Sequence, residues 1–193
     1  MFSSLVADRV RSRVQQIGAH VARTGLTPNQ LTVLGLVLNA VVAVALALGQ
    51  LQLGGVLLLV AGAFDMLDGA VARATGKVTR FGGVLDSVLD RYSEALVLGG
   101  LLIWIVRADL GAVPVLLCYA TIVGSLLVSY VRARAEGAGI PLTQGFFARP
   151  ERIVVLAVGL LLARPVAVLW LLAIATNVTV LQRVWLVRQA ARD

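Results

Sequence analysis

Apolar residues fill six stretches of this chain: Leu31 to Leu48, Gly55 to Ala74, Gly82 to Val106, Val113 to Glu136, a segment from Pro150, and Pro165 to Val187. Polar or glycine-bearing breaks separate them, among them Gly49 to Gly54, Thr75 to Phe81 and Gly137 to Ala148. A helix crossing a bilayer needs roughly 20 predominantly apolar residues, so the pattern predicts about six transmembrane helices. Ahead of them the pattern changes. Phe2, Leu5, Val6, Val10, Val14 and Ile17 are interleaved with Asp8, Arg9, Arg11 and Arg13, which predicts an amphipathic helix lying in the interface. The sequence Thr27-Pro28-Asn29-Gln30 then offers a helix start, with Thr27 as cap and Pro28 in the first turn. The expected fold is all-α, a polytopic membrane protein with six transmembrane helices and an N-terminal amphipathic interfacial helix. It forms one domain over 1–193, divided into a juxtamembrane helix at 1–24 and a six-helix bundle at 25–193.

Composition agrees with the pattern. The chain is 59% hydrophobic over 193 residues, with a mean hydropathy of +0.92, which excludes an ordinary soluble domain. Its one cysteine, Cys118, sits in an apolar run, so neither a disulfide nor a thiolate metal site is expected. Residues 1–24 have no apolar core ahead of a small-residue cleavage site, so a cleaved signal peptide is not expected.

The net charge of +7 would suit nucleic acid, but its distribution excludes that partner. Arg9, Arg11, Arg13 and Arg23 precede the first span, and Arg73, Lys77 and Arg80 lie between the second and third. Arg132, Arg134, Arg149 and Arg152 flank the fourth-to-fifth connection, and Arg183, Arg188 and Arg192 close the chain. The alternate connections hold only Arg107 and Arg164. This positive-inside bias places both termini on the cytoplasmic side of a cell membrane, with the 65–90 segment beside them. A basic cytoplasmic face also suits anionic lipid and phosphate-bearing substrates.

Against this background Asp65, Asp68, Asp86 and Asp90 stand out, each in or beside an apolar run. An uncompensated intramembrane carboxylate costs at least ~2.5–3.5 kcal/mol on insertion scales. Spacings of three and four residues put each pair on one helix face. An antiparallel hairpin of spans two and three would bring the pairs to matching depth near the cytoplasmic surface. Hard oxygen ligands with no histidine or cysteine nearby favour Mg²⁺ or Mn²⁺ over Zn²⁺. Four carboxylates suffice for a two-metal site that clamps a phosphoryl group. Gly69, Ala72, Gly82 and Gly83 add no bulk beside them, and Arg73, one turn beyond Gly69, is placed to neutralise a diphosphate.

The string Asp65-x2-Asp68-Gly69-x2-Ala72-Arg73-x8-Gly82-x3-Asp86-x3-Asp90 resembles the complete signature of the CDP-alcohol phosphotransferases, and the layout of nearly the whole chain is similar to that family. The resemblance implies displacement of CMP from a CDP-linked lipid or alcohol by an acceptor hydroxyl, with two divalent metals, Mg²⁺ or Mn²⁺, bridging the diphosphate. It implies that Asp65, Asp68 and Asp86 hold the metals. It implies that Asp90 takes the proton from the hydroxyl while also touching the second metal. Gly69, Arg73 and Thr79, with Pro28, Asn29, Gln30 and Leu31, would contact the CDP moiety. A homodimer is implied as well.

The sequence from the third span to the sixth is similar to the branch that makes phosphatidylinositol phosphate from inositol 1-phosphate and CDP-diacylglycerol. The similarity lies in Leu85-Asp86-Ser87, Asp90-Arg91, the Ser129 to Glu136 string, Glu151-Arg152 and Val178 to Arg183. It implies that Ser129, Arg132, Arg152 and Arg192 bind the acceptor phosphate. Arg132 stands where that branch commonly has lysine, which keeps the charge but changes its reach. The lipid tails, diacyl or archaeal diether, leave no trace in the sequence. Glycerol 3-phosphate, giving phosphatidylglycerol phosphate, is the alternative acceptor.

Two readings of another class compete. A cation-coupled transporter would also carry intramembrane acids, but the chain shows neither an internal repeat nor paired broken helices. A noncatalytic lipid-binding scaffold would tolerate loss of Asp90. Of the remaining polar residues, Asn39 and Asn177 are expected to bond between helices, and Glu94 either supports the aspartates or pairs with Arg91.

Overall fold

The structure is a computed structural model that describes residues 25–142 and 145–191. The amphipathic helix expected within 1–24, and Arg192, lie outside the described residues. Among the described residues the fold has six helices: α1 (Pro28–Ala47), α2 (Leu51–Thr75), α3 (Arg80–Arg107), α4 (Ala112–Gly137), α5 (Arg149–Leu161) and α6 (Pro165–Ala190). No strand occurs among the described residues.

Local chemistry sets the boundaries that frame the aspartates. Thr27 caps α1 in a capping box: its hydroxyl accepts from the Gln30 amide at 3.3 Å, and its own amide donates to Gln30 Oε1 at 2.9 Å. α2 ends on Gly76, whose φ of 66° is left-handed and costs a glycine little. α3 restarts at once, with the Thr79 hydroxyl accepting from the Gly82 amide at 2.9 Å.

The expected hairpin packing of spans two and three is not what forms. α2 and α3 follow one another but do not pack closely; both lean on α1, while α2 also packs on α5, α4 on α6, and α3 on α4. Small residues explain the choice, because they let backbones approach. Gly100 of α3 rests against the Ala43 backbone of α1, and Gly124 of α4 against Thr176 of α6. At the α1–α2 crossing, a Cβ on Gly35 would lie 2.7 Å from Asp65 Oδ1, so the glycine makes room for the carboxylate. The two aspartate pairs therefore face one another across a cleft floored by α1.

The core gathers Val42, Leu46, Leu58, Leu98, Leu101 and Leu160 with their neighbours. Cys118 is buried among them, its thiol donating to the Leu98 carbonyl. Large apolar side chains also face outward in stripes, Val33, Val37, Val41 and Val44 on α1 and Leu171, Ile174, Val178 and Leu181 on α6. Outward apolar faces on long helices are suited to lipid rather than water. Among the described residues four helices, α1, α2, α4 and α6, are long and apolar enough to cross a membrane. α5 has 13 residues, or about 20 Å at 1.5 Å per residue, against a hydrocarbon core of about 30 Å. Asn177 bonds between helices as expected, donating to Ala120 O of α4 at 3.2 Å. Asn39 does not, donating instead to Gly35 O within its own helix.

Candidate active site

All four aspartates turn toward one region. Asp68 is the deepest, 9% exposed, with one oxygen accepting from the Thr32 hydroxyl of α1 at 3.0 Å and the other from the Gly69 amide. Asp65 and Asp90 share one cation: Arg149, the first residue of α5, donates Nη2 to Asp65 Oδ2 and Nη1 to Asp90 Oδ1, both at 2.8 Å. Asp86 lies close enough to Asp65, Asp68 and Asp90 to repel each of them. Three half-buried like charges around a fourth are unfavourable unless positive charge joins them.

The donor set fits a divalent metal in chemistry: hard oxygens only, gathered on two helices, with a guanidinium already lodged between two of them. Among the described residues no three carboxylate, histidine or cysteine side chains converge as a preformed cage. The splay of α2 from α3, and the hold of Arg149 on two of the carboxylates, account for that.

The residues predicted for the CDP moiety gather at the mouth of the same cleft. A Cβ on Gly69 would lie 3.3 Å from Arg73 Nη1, so the guanidinium folds over the glycine. A Cβ on Gly82 would lie 2.9 Å from Thr79 Oγ1 and 3.2 Å from Asn29 Oδ1. Two small residues are thus each overhung by polar side chains able to bond a phosphate or ribose. Pro28 is partly exposed beside them, and Gln30 is engaged in its cap. Leu31 behaves differently: at 2% exposure its side chain belongs to the core, withdrawn from the cleft.

Next to the aspartates opens a cavity of about 910 Å³, bounded by α3, α4, α5 and α6. Its lining includes Asp90 and Arg149, and with them Ser129, Arg132, Arg152 and Arg183. Arg132 and Arg152 do share this space as expected, but each is turned to its own carboxylate. Arg152, 3% exposed, grips Glu94 with Nε at 2.6 Å and Nη2 at 2.8 Å. Arg132, half exposed, pairs with Glu136 one turn on at 2.8 Å. Glu94 therefore pairs with Arg152 rather than with Arg91, whose guanidinium donates to Ser87 O. Thr32 was not read from the sequence at all; Arg149 was read only as cytoplasmic charge, and Arg183 only as that and as the end of the Val178 to Arg183 string. The Arg149-x2-Arg152 spacing could have suggested a site role for Arg149; nothing local marks Thr32.

The model of the CDP-alcohol phosphatidyltransferase family matches residues 25–184. The chain belongs to that family. A curated relative, the archaetidylinositol phosphate synthase of Pyrococcus horikoshii, is 38% identical over 188 residues, covering 94% of each chain. The phosphatidylinositol phosphate synthase of Mycobacteroides abscessus is also 38% identical, over 89% of this chain and 82% of its own. Among solved structures, the Mycobacterium tuberculosis phosphatidylinositol phosphate synthase with CDP-DAG bound superposes with a TM-score of 0.85 at 35% identity, over 90% of this chain and 92% of that one. The same enzyme in complex with manganese and citrate gives a TM-score of 0.81, over 90% and 88%. Family membership makes the chain a membrane transferase, in keeping with its long apolar helices.

Proposed function

We propose that the protein is a phosphatidylinositol phosphate synthase. It transfers the phosphatidyl group of CDP-diacylglycerol to inositol 1-phosphate and releases CMP. The observation that carries this reading is the position of Asp90. Its carboxylate borders the acidic cleft on one side and, on the other, the cavity lined by Ser129, Arg132 and Arg152. A hydroxyl held in the cavity would meet a base and a diphosphate at that one boundary.

Asp65, Asp68, Asp86 and Asp90 would hold two Mg²⁺ or Mn²⁺ ions. Divalent metal bound there supplies charge neutralisation at the diphosphate and acidifies the attacking hydroxyl. Thr32 and the Gly69 amide each hold one Asp68 oxygen and so fix the orientation of the carboxylate. Arg73 over Gly69, and Asn29 and Thr79 beside Gly82, bind the CDP portion, assisted by Pro28, Gln30 and Leu31; Leu31 contributes through its backbone. Asp90 takes the proton of the acceptor hydroxyl. The oxygen freed of its proton bonds to the lipid-side phosphorus. The bond from that phosphorus to the bridging oxygen breaks, and CMP leaves with the electron pair. Ser129, Arg132, Arg152 and Arg192 recognise the acceptor phosphate by charge-assisted bonding.

The finer architecture belongs to the same proposal. One domain covers 1–193, α3 and α5 join the other helices within the bilayer, the 1–24 segment lies in the interface, and the cleft and both termini face the cytoplasm. The protein works as a homodimer. Support comes from the positive-inside arginines and the family resemblance.

The test incubates purified protein with Mg²⁺, CDP-diacylglycerol and a panel of free and phosphorylated alcohols, and measures CMP. Release with inositol 1-phosphate well above the other alcohols is expected. Release with glycerol 3-phosphate and none with inositol 1-phosphate would make the protein a phosphatidylglycerol phosphate synthase instead. Metal-coupled ion flux without CMP release would favour a transporter.

A further inference from the structure

We propose that a groove between α5 and α6, at the end of the bundle away from the aspartates, binds one acidic phospholipid with its headgroup on Arg164. No step of the proposed reaction uses this region.

The groove is a cavity of about 400 Å³, within the ~300–1,000 Å³ usual for small-molecule sites. Val158 and Leu162 line it from α5, and Val168 and Leu171 from α6. Intervals of three and four residues put each pair on one face of its helix. A Cβ on Gly159 would lie 2.5 Å from Val168 Cγ2, so the two helices approach closely along the groove. Its one charged residue is Arg164, which immediately precedes α6; the rest of the lining is aliphatic or glycine. Leu162 and Leu171 are more than half exposed. Because α6 is long and apolar enough to cross a membrane, these faces open onto lipid.

Arg164 is held at the mouth of the groove by a tight turn. Its amide donates to Gly159 O at 2.8 Å, and its carbonyl accepts from the Val168 amide at 3.2 Å. Between them Ala163 adopts a left-handed φ of 52°, the conformation that closes many helix ends. This turn is remote from the cleft: Leu161 O accepts from Gln52 at the start of α2 at 3.4 Å, whereas Arg149 at the far end of α5 meets Asp65. The Arg164 side chain is exposed and pairs with no carboxylate among the described residues. A long cationic side chain at a helix end reaches the headgroup level. Within a bilayer an apolar groove offers an acyl chain closer packing rather than a hydrophobic gain, so selectivity must come from charge. A net-negative headgroup meets the unpaired guanidinium while its acyl chain lies along the groove.

Delipidated full-length protein in detergent would be titrated with phosphatidylglycerol and, separately, with phosphatidylcholine of the same acyl chains, and bound lipid counted by native mass spectrometry. Wild type, Arg164→Gln, Ala167→Trp and Arg107→Gln would be compared. Wild type should bind one phosphatidylglycerol about fivefold more tightly than phosphatidylcholine, the worth of one arginine facing an acidic headgroup. Arg164→Gln should abolish that preference and keep the weaker binding. Ala167 is an exposed residue of the groove; Ala167→Trp fills it without changing charge and should weaken both lipids alike. Arg107, exposed at the end of α3, is the other cation at this end of the bundle, and Arg107→Gln should change neither. CMP release should be the same in all three variants. No preference in the wild type would overturn the proposal. Equal loss in Arg107→Gln and Arg164→Gln would also overturn it, reducing it to diffuse attraction at the interface. Unchanged binding in Ala167→Trp would do the same, as would a fall from dimer to monomer in that variant, which would give the groove to a second copy. Should Ala167→Trp fail to fold, the two arginine variants decide. If the wild type releases no CMP, the proposed reaction fails, and the lipid titration still judges the groove by itself.

Discussion

The cleft between α2 and α3 and the cavity between α3 and α6 both concentrate like charges in an apolar bundle, but they balance them in opposite ways. In the cleft, Asp86 lies near three other carboxylates, and a single side chain, Arg149, bridges two of them. In the cavity, two of the arginines carry glutamates from the chain itself, Arg152 with Glu94 and Arg132 with Glu136. Charge left unbalanced by the chain is charge available to a ligand. By that measure the cleft as a whole is built to receive cations, whereas in the cavity Arg91 and Arg183 have no carboxylate partner among the described residues. Arg149 belongs to both regions, bonded to the cleft and lining the cavity, so the two sites are electrostatically joined.

The comparison can be broken most forcefully at Asp90. Asp90→Asn keeps the shape but removes the base, and CMP release should fall by about 10²–10⁴-fold; an unaffected rate would detach Asp90 from the chemistry. Glu94→Gln should be next, acting on stability. It leaves the buried Arg152 guanidinium without its carboxylate, a loss of roughly 3–5 kcal/mol by the usual cost of breaking a buried pair, visible as a marked drop in melting temperature. Arg149→Met sharpens the comparison from the cleft side. With the competing guanidinium gone, Mn²⁺ should bind about tenfold more tightly, equivalent to ~1.4 kcal/mol, as measured by electron paramagnetic resonance of free Mn²⁺. Weaker binding would mean that Arg149 preorganises the carboxylates instead. The smallest effect belongs to Glu136→Gln. That pair is half exposed and should contribute only ~0.2–1 kcal/mol to stability, read as a melting shift of a degree or two at most against the Glu94 variant.

The residues of the cleft were legible before any fold was known, because their spacing already places each aspartate pair on one helix face and the adjoining small residues follow in fixed register. The helix starts at Thr27 and Thr79 were equally local matters of capping; the first was read as such, and the second was read only as a nucleotide contact. What failed was the packing partner. α2 and α3 were expected to close on each other, yet the glycines at Gly35 and Gly100 bring α1 against both. Leu31 shows the same limit: the family resemblance implied contact with the CDP moiety, and helix rotation turned its side chain to the core. The cavity was less legible still. Arg132 and Arg152 were visible as basic residues, but nothing in their neighbourhoods says that Arg152 is matched by Glu94, 58 positions away.

The amino-acid sequence by itself determined an all-helical chain rich in apolar faces and a family motif of four acids at helical spacing. These depend on periodicities of three and four residues, which a linear string records. Only the tertiary structure decided which charges are already paired and which are not. Arg149 meets Asp65 across 84 positions, and Arg183 meets Val128 across 55. Such pairings depend on helix crossing and rotation. Those follow from how small and large side chains pack over the whole bundle, not from the spacing along any one helix.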